Sequence, residues 1–370
     1  MDGWVDAIAN GVVPPRNLNM NATEDCLLLD VHVPKKVLDA AQRKKKGAPV
    51  LVFIHGGGGV FGSKDGSGPT RFEPSGILQQ SRDKFGEDFV FVAINYRLGA
   101  FGFLAGSEVQ RDGNANAGLL DQRFALQWVQ NYIHLFGGSK DHVTVMGESG
   151  GGGSILLHMA AAAATQRNHT CGQEAKLFQQ AILQSPALRS ATRDPNEIFN
   201  EFLSFLDVKS LEEARRLPSS AVIVGNSAQI QAAPPTDFLY GPVVDGDYVS
   251  APLLQSLRDG AVDKTVKVFA GHNVFEGAFF FDPAVKAEED FRDWLEVSIP
   301  GLEDSRFDDI AKRIYPAVYD GSVGYVDTNT RQMSVWGEAV IDCAYHAISK
   351  ATKTVSYACK YQKEKIGNEK

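Results

Sequence analysis

No apolar run in this 370-residue chain approaches the 18 residues of a membrane-spanning helix. Its first residues, Met1 to Asp6, lack the charged and apolar regions of a secretory leader. Cysteine is sparse: Cys26, Cys171, Cys343 and Cys359 fit no zinc spacing and form no C-x-x-C redox pair. The even count allows two disulfides or four reduced thiols. Basic residues are outnumbered, 37 against 45 acidic, for a net charge of −8. That balance disfavours nucleic acid and anionic membranes as partners. The one basic cluster, Arg43 to Lys46, reads as a solvated loop. No internal repeat or long low-complexity segment divides the chain, so one domain over residues 1–370 is expected. Hydrophobic content of 44% and charged content of 22% are ordinary for a globular protein with an ample core. Two glycosylation sequons, Asn21-Ala22-Thr23 and Asn168-His169-Thr170, matter only in a secreted protein.

Against these absences stands a wealth of glycine, 36 residues, concentrated where it carries information. Gly147-Glu148-Ser149-Gly150-Gly151 centres a serine in a G-x-S-x-G turn. The apolar run 143–146 leads in and the small-residue stretch 154–164 follows. Strand, sharp turn and helix are the order that an exposed serine nucleophile requires. A second glycine cluster, His55 to Gly59, follows the buried run 49–54 (PVLVFI). Consecutive glycines after a strand can turn several N–H groups toward one point, as in an HGGG-type oxyanion loop. Gly57 and Gly58, with Gly150 after the serine, are the expected donors. His55 itself suits a structural hydrogen bond better than a catalytic role.

Further buried strands are expected at 89–96, 178–183 and 266–270, with a helix over 118–136 stopped by Gly137. Strands alternating with helices predict a mostly parallel sheet covered on both faces. Residues 194–233 and most of 283–353 read as helical regions capping the sheet. Chain order in this architecture is Ser, then Asp or Glu, then His. Glu276, just past the end of the run 266–270, is the expected acid.

The chain resembles the type-B carboxylesterases, the cholinesterase/lipase family of α/β-hydrolases. The resemblance rests on blocks in order over roughly residues 20–285: Glu24 to Val31, the glycine loop from Val52 to Gly62, Asn95 to Leu104, Gly118 to Val129, and Gly147 to Gly151. It implies an α/β-hydrolase fold, a small-molecule ester as substrate, and no cofactor or metal. It also implies Ser149 as acyl acceptor, Glu276 as triad acid, and Gly57, Gly58 and Gly150 as oxyanion donors. Gly59 departs from the family pattern, in which a bulky residue usually stands there, and implies a wider site or a looser loop. The family's histidine lies in an HG-containing loop about a hundred or more residues beyond the acid. Here only His346 follows Glu276, inside a helical pattern and with no glycine after it; His272 lies four residues before the acid. Residues 355–361 resemble the strand before the histidine loop. The family's N-terminal cysteine, which commonly pairs with the one matching Cys26, has no counterpart. The expectation is a family member clipped at both ends, its sheet incomplete at the termini, with weak or no turnover. A catalytically silent binding or adhesion module is the alternative. Most family members enter the secretory route, which makes an extracellular location the expectation; without a leader, a cytoplasmic one stays open.

Overall fold

The computed structural model describes residues 23–42, 46–66, 73–168, 176–188, 193–234, 236–299, 302–352 and 358–361. The sequon at Asn21, most of the basic cluster at 43–46 and the Thr of the second sequon fall outside them.

Among the described residues seven strands form one sheet: β1 (Leu29–His32), β2 (Ala48–Ile54), β3 (Val90–Ile94), β4 (Gly138–Glu148), β5 (Gln180–Gln184), β6 (Lys267–Asn273) and β7 (Ala358–Tyr361). Their order is β1-β3-β2-β4-β5-β6-β7. Only β1 runs antiparallel, with Leu29 opposite Ile94, and every other pairing is parallel. Central strands covered on both faces must be apolar at every position, and β3 (VFVAI) is buried throughout. Side chains alternate across the sheet. Val50, Val52, Ile54, Val92, Ile94, Val143 and Val145 enter the main core, while Leu51, Phe53, Phe91, Ala93 and Met146 form a second cluster. The second face is met by Leu78 of helix α1 (Ser75–Phe85).

β4 starts five residues before the apolar run that marks it in the sequence. Lys140, Asp141 and His142 are exposed, so the polar first half of the strand carries no hydrophobic signal. Helix α2 (Ala117–Tyr132) passes into a 3-10 turn, Ile133–Phe136, and stops at Gly137, whose φ of 82° suits glycine. The helix after the serine, α3 (Gly150–Asn168), packs on β4 and β5. Residues 194–233 form three helices, Pro195–Phe205, Leu211–Arg216 and Ser219–Ala232. Asp194 caps the first through the Asn196 N–H, with Pro195 in the first turn. Residues 283–353 contribute α4 (Glu288–Ser298), Asp304–Asp309, α5 (Thr328–Gly337) and α6 (Cys343–Thr352). Two π-helical stretches, Ile310–Ile314 and Glu338–Asp342, interrupt them. Phe291, Trp294, Leu295, Val335 and Trp336 give this region its own apolar cluster.

Candidate active site

The C-terminal ends of β2, β4, β5 and β6 meet at one edge of the sheet, the edge where open α/β sheets place their sites. Ser149 sits between β4 and α3 with φ of 53°, a left-handed conformation unusual for a residue with a Cβ. The turn is held at three points. The Ser149 N–H donates to the Gln184 carbonyl (2.9 Å), and the Ser149 carbonyl accepts from Gly153 (3.0 Å) and Ala187 (3.1 Å). The flanking glycines are required by close approach. A Cβ on Gly147 would stand 2.6 Å from the Gly151 carbonyl carbon, and one on Gly151 would overlap the Ile54 carbonyl.

The loop after β2 holds three consecutive left-handed glycines, Gly57, Gly58 and Gly59, at φ of 104°, 61° and 79°. It curls back through Val60 and Phe61 N–H groups that donate to the Gly57 carbonyl. A Cβ on Gly150 would lie 3.3 Å from the Gly58 nitrogen, so the loop and the start of α3 are neighbours. The N–H groups of Gly57, Gly58 and Gly150 donate to no other described residue. Beside Gly59, a side chain would stand 3.1 Å from the Tyr240 carbonyl and 3.4 Å from the Phe103 ring. Those groups close the loop over at this position. His55 is buried, donates Nδ1–H to the Gly56 carbonyl (2.8 Å) and stacks on Tyr96 at 4.3 Å. Burial holds its ring down to about 4, so it is neutral and structural.

Glu276 follows β6, and its Oε1 accepts from the Ser185 hydroxyl (2.7 Å) and from the Asn273 N–H. The Asn273 amide reaches both Ser185 Oγ (3.3 Å) and Glu276 Oε2 (3.4 Å). Ser185, itself at φ of 44°, ties the ends of β5 and β6 through its N–H to the Gly271 carbonyl (2.7 Å). A second carboxylate, Glu148, is tucked over Gly56 although the residue as a whole is exposed. Lost hydration at that carboxyl, then the charge of Glu276, pushes it up to about 7.

Sequence reasoning missed Ser185, Asn273 and Glu148. Ser185 carried one usable signal, its place at the C-terminal end of a buried strand. The aromatic wall also escaped it. Phe238 lies against Gly58, Phe238 and Phe280 rings are 6.0 Å apart, and Phe280 stacks on Trp336 at 3.5 Å and 9°. Phe238 and Trp336 line a cavity of about 60 Å³ beside Ser149.

No histidine among the described residues is hydrogen-bonded to Ser149 or Glu276. His272 turns toward Asp342 (3.2 Å) and the Asn273 carbonyl (2.8 Å), with its ring against Tyr345. His346 is exposed on α6. His158 is buried on α3 between the Tyr248 hydroxyl (2.6 Å) and Gln122 (3.0 Å). Among the described residues no three His, Cys, Asp or Glu side chains are grouped as metal ligands, and no helix is long and apolar enough to cross a membrane.

The sequence profile of the carboxylesterase family matches residues 7–360. A carboxylesterase patB from Aspergillus clavatus is 37% identical over 346 residues, covering 92% of this chain and 60% of that protein. A secreted lipase from Arthroderma benhamiae is 37% identical over 185 residues, covering 50% of this chain and 34% of its own length. Among solved structures, EstA from Aspergillus niger superposes with a TM-score of 0.73 at 28% identity, over 89% of this chain and 61% of EstA. The chain thus spans about three fifths of the length of patB and of EstA.

Proposed function

Because the chain belongs to the carboxylesterase family, we propose that it carries the acyl-transfer site of a carboxylic ester hydrolase, with Ser149 as the nucleophile. In the proposed reaction Ser149 Oγ bonds to the carbonyl carbon, the bond to the alcohol oxygen breaks, and the serine proton leaves with the alcohol. Water then releases the acid. Gly57, Gly58 and Gly150 donate to the oxyanion, a contribution of roughly 3–4 kcal/mol for each donor that is lost on removal. Glu276, steadied by Ser185 and Asn273, orients and stabilises the base. The observation that carries the reading is the convergence of a strained serine and unused backbone donors.

The base is the group that the described residues do not bring to Ser149. Loss of a histidine base lowers kcat by roughly 10⁶-fold, leaving roughly 10³–10⁴ over water from binding and the oxyanion hole. Residues 1–370 alone are therefore expected to hydrolyse esters feebly. The same observation favours a second reading, an esterase-like binding module. A secretory destination is proposed from the resemblance to a secreted lipase. Hydrolysis of p-nitrophenyl acetate by residues 1–370, with and without added imidazole, separates the two. An ester hydrolase gives slow, Ser149-dependent release that imidazole accelerates. A binding module gives no Ser149-dependent release above the protein-free background in either condition.

A further inference from the structure

Glu148 stands immediately before the nucleophile, at the end of β4, and its carboxyl has no part in the triad or the oxyanion site. Among the described residues no hydrogen-bond donor reaches that carboxyl. The sharp turn at Ser149 brings both side chains over the start of the glycine loop. A Cβ on Gly56 would stand 2.7 Å from Glu148 Oε2, 2.7 Å from the Glu148 carbonyl oxygen and 3.1 Å from Ser149 Cβ. The carboxyl and the serine side chain therefore border one small space that glycine leaves open. Ser149 Oγ is one bond from that Cβ, so a single water can join it to the carboxyl, which is the reach a general base needs. Glu148 is exposed as a whole residue, so solvent has access to its carboxyl.

The other titratable groups nearby are committed elsewhere. Glu276 Oε1 already accepts from the Ser185 hydroxyl and the Asn273 N–H. His272 faces Asp342, and His55 is buried against Tyr96. We infer that Glu148 acts, across one water, as a substitute general base for Ser149 in residues 1–370. The inference rests on the ester-hydrolase reading and gives a route to the feeble turnover expected without the histidine. In acylation the Ser149 proton passes through the water to the Glu148 carboxylate as Oγ bonds to the carbonyl carbon. The same proton returns to the alcohol oxygen as its bond to carbon breaks. In deacylation the carboxylate takes a proton from the water that attacks the acyl carbon, and the proton goes back to Ser149 Oγ as the acid leaves.

A carboxyl at its ordinary value is a weak base at neutral pH. Lost hydration and the charge of Glu276 lift Glu148 to about 7, close to the strength that suits a base at working pH. Tyr96 and His55 also face it. Burial keeps the Tyr96 hydroxyl protonated above its usual range and holds His55 neutral down to about 4, so neither changes charge between pH 5 and 9.

The test follows p-nitrophenyl acetate hydrolysis by residues 1–370 from pH 5 to 9, subtracting the rate of Ser149→Ala at each pH. The rate should rise with pH through an inflection near 7. Glu148→Gln should lack the inflection and be about 10²-fold slower at pH 8, yet within a few-fold of wild type at pH 5. His272→Gln should keep the inflection, which excludes that histidine as its source. Added imidazole takes the serine proton itself, so its increment should be equal in Glu148→Gln and wild type. A variant that loses this increment too has a damaged turn, and the wild-type profile then decides. A wild-type profile without the inflection, or a Glu148→Gln that keeps it, overturns the inference alone. Absence of Ser149-dependent release even with imidazole rejects the hydrolase reading, and this inference with it.

Discussion

Replacing Gly151 by alanine tests whether the serine turn is built by backbone contact between α3 and β2. The added Cβ would stand 2.8 Å from the His55 carbonyl oxygen and 3.0 Å from its carbon, with the Ile54 carbonyl oxygen closer still. All three are backbone atoms at the buried C-terminal end of a central strand, so no side chain can swing away. The helix must move out by several tenths of an ångström or more, and the Gly150 donor moves with it. Overpacking of this kind costs about 1–3 kcal/mol, and the rigidity of the neighbours puts Gly151→Ala at the upper end, about 3 kcal/mol. With a urea m-value of about 3 kcal/mol/M, the midpoint falls by about 1 M. The control is Gly76→Ala on α1, where no atom lies within 4 Å of the new Cβ. There the better helix propensity of alanine should stabilise by roughly 0.5–1 kcal/mol. Urea titrations followed by circular dichroism measure both. If Gly151→Ala unfolds at the wild-type midpoint or above, the close packing of α3 on β2 is refuted.

Two pH predictions follow from buried titratable groups. Glu148 holds its proton to higher pH in the folded state than in the unfolded chain. Its contribution is full below pH 4.5 and is lost as pH rises toward about 7. Glu148→Gln should match wild type near pH 4 and be more stable above pH 7, on the order of 1 kcal/mol after solvent screening; equal stability at pH 8 counts against the shift. His158 is held neutral, down to about 3, by burial and then by the charge of Arg123. Its contribution is full above pH 6.5 and is lost as pH falls toward 3, by up to about 1.4 kcal/mol per pH unit. Removing that proton site with His158→Gln should flatten the acid limb of a stability–pH curve by one proton, and an unchanged slope would contradict the assignment.

Much of the sheet was legible because its strands are buried on both faces and need unbroken apolar runs, as 49–54 and 89–96 show. The serine turn and glycine loop were legible because close backbone approach excludes any Cβ, which fixes residue type. Glu276 was placed by chain order, but its partner Ser185 is 91 residues away and no local pattern links them. The Phe238–Phe280–Trp336 wall was hidden for the same reason: each aromatic reads as ordinary core until the chain folds. The π-helical turns at Ile310 and Glu338 share the helical spacing of their neighbours, so periodicity does not reveal them.

The account turns on Ser149 being an accessible, oriented nucleophile facing a preformed oxyanion site. Labelling of folded residues 1–370 with a fluorophosphonate, followed by peptide mass mapping, tests that most directly. The account predicts slow labelling confined to Ser149, absent in Ser149→Ala and slower still in Gly151→Ala. A folded sample that takes up no label, or takes it up on another residue, would contradict it.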